Sequence, residues 1–343
     1  MPDVKIETAP LDDNTGPQPT RSPRMDGFSL AHLSDLHLSS LQDCRCSQLL
    51  NKRLLGYLSW RRRRRWVHRR EIVDALLADL DVTRPEQIAV TGDLTHIGLP
   101  QEYLEVREWL PALGDPAKVT VIPGNHEAYA GAAWSKLLAM WAPYLESDEG
   151  SGETAAAGFF PSLRVRGEVA MIGLCSARPS LPLLATGSLG RQQLAGLETI
   201  LTKTGEQGLL RVILIHHPPL RGIVNWRKRL TDGRAFTELL ARCGAELVLH
   251  GHAHAPGHSV LETPAGNIPV IGAASASALS AEADKNAKYN IYRLSRSADS
   301  WKLAIEVRGY SKERQRFVLE EETVTALPAS EHQSLRAARA ESG

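Results

Sequence analysis

Five short clusters in this chain carry side chains suited to holding metal ions. They are Asp35-Leu36-His37, Gly92-Asp93, Gly124-Asn125-His126-Glu127, His216-His217-Pro218-Pro219 and Gly251-His252-Ala253-His254. Imidazole nitrogens with a few carboxylate or amide oxygens suit Mn, Fe, Zn or Co better than Mg or Ca. Taken singly, each cluster has a plainer reading. An Asp after a Gly is usually a turn residue, a lone His is usually a satisfied surface or core histidine, and His-x-His by itself is a weak signal. Their context carries the weight, because each cluster follows a short apolar run. Asp35 and His37, two apart, share a face if the segment is extended, so both could grip one ion. The ends of strands are where sites lie in open α/β sheets.

The runs that must position these residues read as strands at 28–33, 88–90, 119–122, 169–175, 212–215 and 246–249. Ile72, Val73, Leu76, Leu77 and Leu80 recur at helical spacing, and further helices are expected at 103–110 and 234–242. Later runs at 268–271, 289–294 and 302–307 read as strands without long helices between them. Pro269 makes the first of these an edge strand at best, because proline cannot donate to a ladder. This order predicts a sheet-rich core with helices outside, an α/β sandwich. Residues 130–163, with several aromatic residues and a Gly/Ser/Ala/Glu-rich stretch, read as an insertion beside the site. Polar, proline-rich residues 1–27 read as a disordered tail, and 311–343 as a C-terminal extension.

With 343 residues the chain can bury a large core without disulfides. Its net charge of +1 gives no overall preference for an acidic partner. The four cysteines include Cys44-x-Cys46, which lacks the second pair a zinc cluster needs. No run approaches the length of apolar sequence a membrane span requires, and no signal peptide is visible. The expected location is cytoplasmic.

Together the clusters resemble the calcineurin-like metallophosphoesterase superfamily over roughly 28–307, with no expected ligand missing. The resemblance implies a four-layer α/β/β/α sandwich of two mixed β-sheets flanked by helices. It also implies one ion held by Asp35, His37, Asp93 and His254, and another by Asp93, Asn125, His216 and His252, with Asp93 bridging. His216 is preferred to His217 because it immediately follows its strand. His126 would face the substrate, stabilising charge or protonating the leaving oxygen. Thr95, His96 and His217 are further candidates for substrate contact. Two ions about 3.5–4 Å apart generate hydroxide at neutral pH and stabilise both sides of an in-line displacement at phosphorus.

Protein Ser/Thr phosphatases of this superfamily continue the second motif with Asp-Arg-Gly. Here it runs Gly92-Asp93-Leu94-Thr95-His96-Ile97-Gly98, so that branch is disfavoured despite Glu127. The pattern is more similar to the bacterial phosphodiesterase branch, which includes cyclic-nucleotide and glycerophosphodiester hydrolases. An arginine-rich stretch at 49–70, with Leu50, Leu54, Leu58, Trp60 and Trp66 interleaved, has no acidic residue. A solvated basic helix face is its commoner reading. The composition also fits a helix lying on an anionic membrane surface, and it is similar to the corresponding stretch of UDP-2,3-diacylglucosamine pyrophosphatases. A nucleic-acid channel ranks below that. A non-catalytic scaffold of the same fold should have lost an Asp or His from the series, and this chain has not.

Overall fold

The computed structural model describes residues 27–131, 134–149, 158–282, 285–297 and 300–327. Among the described residues the strands are β1 (Phe28–Leu33), β2 (Gln87–Val90), β3 (Val119–Val121), β4 (Ser162–Arg166), β5 (Val169–Gly173), β6 (Leu210–Ile215), β7 (Leu247–His250), β8 (Gly257–Thr263), β9 (Gly266–Gly272), β10 (Lys288–Ser297), β11 (Ser300–Ser311) and β12 (Arg316–Leu327). Helices are α1 (Arg53–Ser59), α2 (Arg65–Val67), α3 (Arg70–Thr83), α4 (Pro100–Leu113), α5 (Trp134–Leu138), α6 (Ala142–Leu145), α7 (Arg191–Glu206) and α8 (Gly233–Cys243).

The strands form two six-stranded mixed sheets, ordered β12-β11-β10-β1-β2-β3 and β4-β5-β6-β7-β9-β8. Alternation along the strands builds the layers. Leu30 of β1, Ala89 of β2 and Val212 and Leu214 of β6 face a core between the sheets. Ala31, Leu33, Ile88 and Val90 face outward onto α3 and α4. Ile213 and Ile215 face outward onto α7 and α8. That is the four-layer sandwich. Each aliphatic side chain buried in it contributes about 1.5–3 kcal/mol.

Several expectations are corrected. The run around Pro269 is not an edge strand: β9 lies between β7 and β8. Pro269 sits opposite Val260, and pairing with β7 begins only at Val270, so that ladder loses no donor at the proline. Residues 316–327, assigned to an extension, are the edge strand β12, paired antiparallel with β11 along its length. Residues 328–343 lie outside the described residues. So does the expected 1–27 tail, apart from Gly27. The described part of 130–163 is built into the domain, since Leu138, Trp141, Tyr144 and Leu145 join the core over β3 and α4. Its Gly/Ser/Ala/Glu-rich stretch falls largely on 150–157, outside the described residues. The arginine-rich stretch is no single helix. α1 passes into a π-helical turn, Trp60–Arg64, then α2, and His68 breaks the path with extended backbone before α3. No helix among the described residues is long and apolar enough to cross a membrane.

Candidate metal centre

The five clusters converge where the two sheets meet. β1, β2 and β3 are parallel neighbours in one sheet, and β6 and β7 are parallel neighbours in the other. The loops after all five therefore open toward one place. Asp35, His37, Asp93 and His254 come together with ligand atoms within 4.8 Å of one another, and so do Asp93, His216 and His252. Asp93 is common to both groups. Asn125 joins the second through its Oδ1, 3.2 Å from His216 Nε2.

The backbone that delivers them is unusual. Asp35, His37, Asp93, His252 and His254 all have positive φ, at 53°, 44°, 58°, 68° and 55°. Non-glycine residues rarely adopt this left-handed region, although Asp and His tolerate it better than most. Several such residues in one cluster are a store of strain of the kind found at functional sites. Asp35 and His37 therefore do not share the face of an extended segment, as their spacing predicts. β1 ends at Leu33, and the chain turns sharply at both ligands. The turns are held by Asp35 N–H donating to Gly92 O and His37 N–H to Asp93 O, each at 3.0 Å. The glycines give the approach its room: a Cβ on Gly124 would run into Asp93 Oδ1.

The site's electrostatics fit cations. His37 Nε2 and His252 Nε2 are buried with no hydrogen-bond partner, and Asp35 Oδ1 and Asp93 Oδ2 are buried against the ring nitrogens of His254 and His216, at 3.2 and 3.4 Å. Such atoms are costly in an apolar interior unless an ion or donor meets them. His37 Nδ1 lies 2.7 Å from Thr95 O and His216 Nδ1 2.6 Å from Thr91 O. A carbonyl only accepts, so each Nδ1 carries the hydrogen and each Nε2 presents its lone pair to the cluster. Burial alone would lower the His216 pKa, but the charges of Asp93 and Asp35 and the bond to Thr91 raise it to about 9. The cluster thus attracts a proton where a cation would be held, and the two compete for one lone pair.

Glu127 is not among the clustered ligands. Its carboxylate accepts from the backbone N–H of Asp93, Leu94 and Thr95, each at 2.9 Å, and of Gly124 at 2.6 Å. It clasps the loops after β2 and β3 together. Glu102 does the same one layer out, accepting from Ser39 Oγ at 2.5 Å and Leu99 N–H at 2.8 Å.

The structure takes two of the candidate substrate contacts elsewhere. Thr95 Oγ1 donates to Glu127 at 3.1 Å and is fully buried. His217 has both ring nitrogens engaged, 2.7 Å from Ser176 Oγ and 3.2 Å from Ala185 O. Both support the loops from behind. His96 lies flat behind His37, ring centroids 5.1 Å apart, and its carbonyl meets His126 Nδ1.

Two residues near the centre carry no motif signal. The His68 ring packs edge-on to His37 at 4.4 Å, and its ligand atom comes within 4.8 Å of those of His37 and His254. Arg64, from the π-helical turn, places Nη1 3.1 Å from His126 Nε2. Both lie in the arginine-rich stretch, where a charge run conceals which member turns inward.

The calcineurin-like phosphoesterase family model matches residues 28–256, which spans all five clusters. The chain belongs to the calcineurin-like phosphoesterase family. Among curated relatives, a probable cyclic nucleotide phosphodiesterase of Synechococcus sp. is 30% identical over 183 residues, covering 52% of this chain and 62% of the relative. The glycerophosphodiester phosphodiesterase GpdQ of Enterobacter lignolyticus is 29% identical over 199 residues, covering 56% and 57%. The match thus spans about six-tenths of each relative's length. A dimetal phosphatase from Danio rerio shares the calcineurin-like fold, with a TM-score of 0.54 at 14% identity, over 89% of this chain and 99% of that one.

Proposed function

We propose that this chain is a two-metal phosphodiesterase acting on a small phosphate diester, a cyclic nucleotide or a related compound. The observation that carries this reading is the sharing of Asp93 by two ligand clusters, each with buried, unpartnered ligand atoms. The names of the two curated relatives support a diester over a monoester substrate.

Asp35, His37, Asp93 and His254 would hold one ion, and Asp93, Asn125, His216 and His252 the other. The pair would supply a nucleophile at neutral pH and charge stabilisation on both sides of the displacement. The donor set suits Mn, Fe, Zn or Co. His126 stands beside the cluster, its Nε2 3.9 Å from Asp93 Oδ2. Its Nδ1 faces the His96 carbonyl, so the hydrogen of the neutral ring is there and the lone pair is on Nε2. Burial, assisted by Arg64, outweighs the Asp93 charge and lowers its pKa to about 4. At neutral pH His126 therefore takes a proton at Nε2 before it can give one to a leaving oxygen. Arg64, donating to the same nitrogen, is placed to meet charge that develops on the phosphoryl oxygens.

The test is turnover by the purified protein. We expect a transition metal to co-purify by elemental analysis. We also expect bis-p-nitrophenyl phosphate to be hydrolysed at least ~10-fold faster in kcat/KM than p-nitrophenyl phosphate, which corresponds to ~1.4 kcal/mol of discrimination. Preference for the monoester would overturn the diesterase reading, and no turnover of any ester would favour a scaffold.

A second reading concerns where the enzyme works. Leu50, Leu54, Leu55 and Trp66 are exposed, at 84%, 46%, 47% and 59%, among the exposed Arg61, Arg62, Arg63 and Arg65. An apolar and basic surface of this kind suits the headgroup region of an anionic bilayer, each basic group adding about 1 kcal/mol. Replacing those four arginines with Gln should release the protein from phosphatidylserine vesicles in a sedimentation assay, and high salt should do the same. Arg64 is left out of that set because it touches His126. Binding of single-stranded DNA in place of vesicles would shift the reading to a nuclease.

A further inference from the structure

Beside the metal centre, sharing Asn125 and His126 with it, lies a cavity of about 280 Å³. Four cationic residues line it: Lys52, which immediately precedes α1, Arg64, and Arg227 and Lys228 of the short turn Trp226–Lys228. No Asp or Glu lines it among the described residues. None of the four makes an ion pair with any described carboxylate: Lys52 Nζ donates to Ser180 Oγ at 2.8 Å and Leu184 O at 2.9 Å, and Arg64 donates to His126. Net charge over the whole chain is only +1, so this concentration of one sign is local.

Like charges gathered on one wall repel one another, and Lys52 and Arg64 are partly buried with only neutral partners to offset their charge. The same arrangement focuses positive potential into the cavity and draws an anion there. The cavity is not needed to neutralise the phosphate at the metal centre, since ions held by Asp35, Asp93 and the histidines would do that. We propose that it is a second anion subsite, and that the substrate is a phosphoester carrying a further phosphate or comparable anionic group beyond the one that is cleaved. This rests on the phosphodiesterase reading for the position of the cleaved group. It narrows the substrate from any small diester to the polyanionic class. Arg64 lies between the two subsites, in contact with His126 and lining the cavity, and would bridge them. Lys52, reaching from the start of α1 to the loop at Ser180 and Leu184, braces the far wall. Burial holds its pKa down, at about 8, so it stays largely charged at neutral pH.

The probes are methylenediphosphonate and methylphosphonate, which cannot be hydrolysed at their P–C bonds by this chemistry. Binding of each to the Mn²⁺-loaded protein is measured by calorimetry, for the wild type and for Lys52→Gln/Arg227→Gln/Lys228→Gln. The wild type should bind the diphosphonate at least ~10-fold more tightly than the monophosphonate, as one added set of charge-assisted hydrogen bonds gives. The triple variant should lose most of that preference. Chelation of the metal by the diphosphonate is common to both proteins and cancels in the comparison. Arg227→Gln/Lys228→Gln alone alters only exposed side chains, so it tests the subsite with the fold intact and should lose part of the preference. An undiminished preference in both variants would overturn the subsite. If the wild type turns over no diester yet the preference depends on these residues, the subsite stands and the phosphodiesterase reading falls. If diesters are turned over and the preference is independent of them, the reverse holds.

Discussion

Asp93→Asn is expected to remove nearly all activity, with kcat/KM for bis-p-nitrophenyl phosphate falling by ~10³-fold or more, about 4 kcal/mol of transition-state stabilisation. Asp93 belongs to both ligand clusters, so its charge would be shared as the counter-ion of two cations. Its Oδ1 accepts the backbone N–H of His126 at 2.8 Å, and its Oδ2 is buried, with His216 Nε2 3.4 Å away. An amide of the same shape would keep one of these contacts and place either a weaker donor oxygen or an NH₂ at the other. The loss should appear first in metal content, with fewer ions per chain by elemental analysis than in the wild type. Exhaustive treatment with EDTA should reproduce the variant's inactivity in the wild type, and Mn²⁺ should restore activity better than Ca²⁺. Full activity after chelation, with no metal present, would end the two-metal reading.

His126→Ala is expected to separate chemistry from metal binding. The hydrogen bond that ties residue 126 to Asp93 comes from its backbone N–H, and it survives loss of the ring. Glu127, which clasps the loops on either side, is untouched. Metal content should therefore stay near that of the wild type while kcat falls by ~10²–10⁴-fold, the range for loss of a positioned acid–base group. The substitution also strips Arg64 of its partner, so part of the fall reflects that guanidinium losing its position. Loss of metal as severe as in Asp93→Asn would show that His126 is itself a ligand and that the roles are misassigned.

The sheet-rich α/β core and the placing of candidate ligands at strand ends were legible in the sequence alone, and there is a physical reason for it. A buried strand must be apolar, and the chain must then turn. Short runs such as 88–90 and 212–215 therefore mark strand ends, and polar residues just beyond them stand out. The choice of His216 over His217 rested on its place immediately after the strand, where the ligand of the family it resembles sits. In the structure His216 Nδ1 is tied to Thr91, leaving Nε2 in the cluster, while His217 is turned to Ser176. β12 escaped notice because its residues are largely exposed, with three consecutive glutamates, Glu320, Glu321 and Glu322, at its middle. An edge strand of that kind is specified by its partner β11, not by its own periodicity.

What only the tertiary structure decided lies in backbone direction and in the arginine-rich stretch. Spacing two apart suggested an extended Asp35 and His37, but the left-handed turns at both depend on hydrogen bonds to Gly92 and Asp93, far along the chain. Similarly, nothing in a run of five arginines distinguishes Arg64 from its neighbours. The π-helical turn rotates it onto His126, leaving Arg61, Arg62, Arg63 and Arg65 exposed. Thr95, His217 and His68 follow the same logic, since a polar side chain near a site is assigned by whichever distant group reaches it first. Local pattern fixes which residues are available at a strand end. Long-range packing fixes where their lone pairs and charges point.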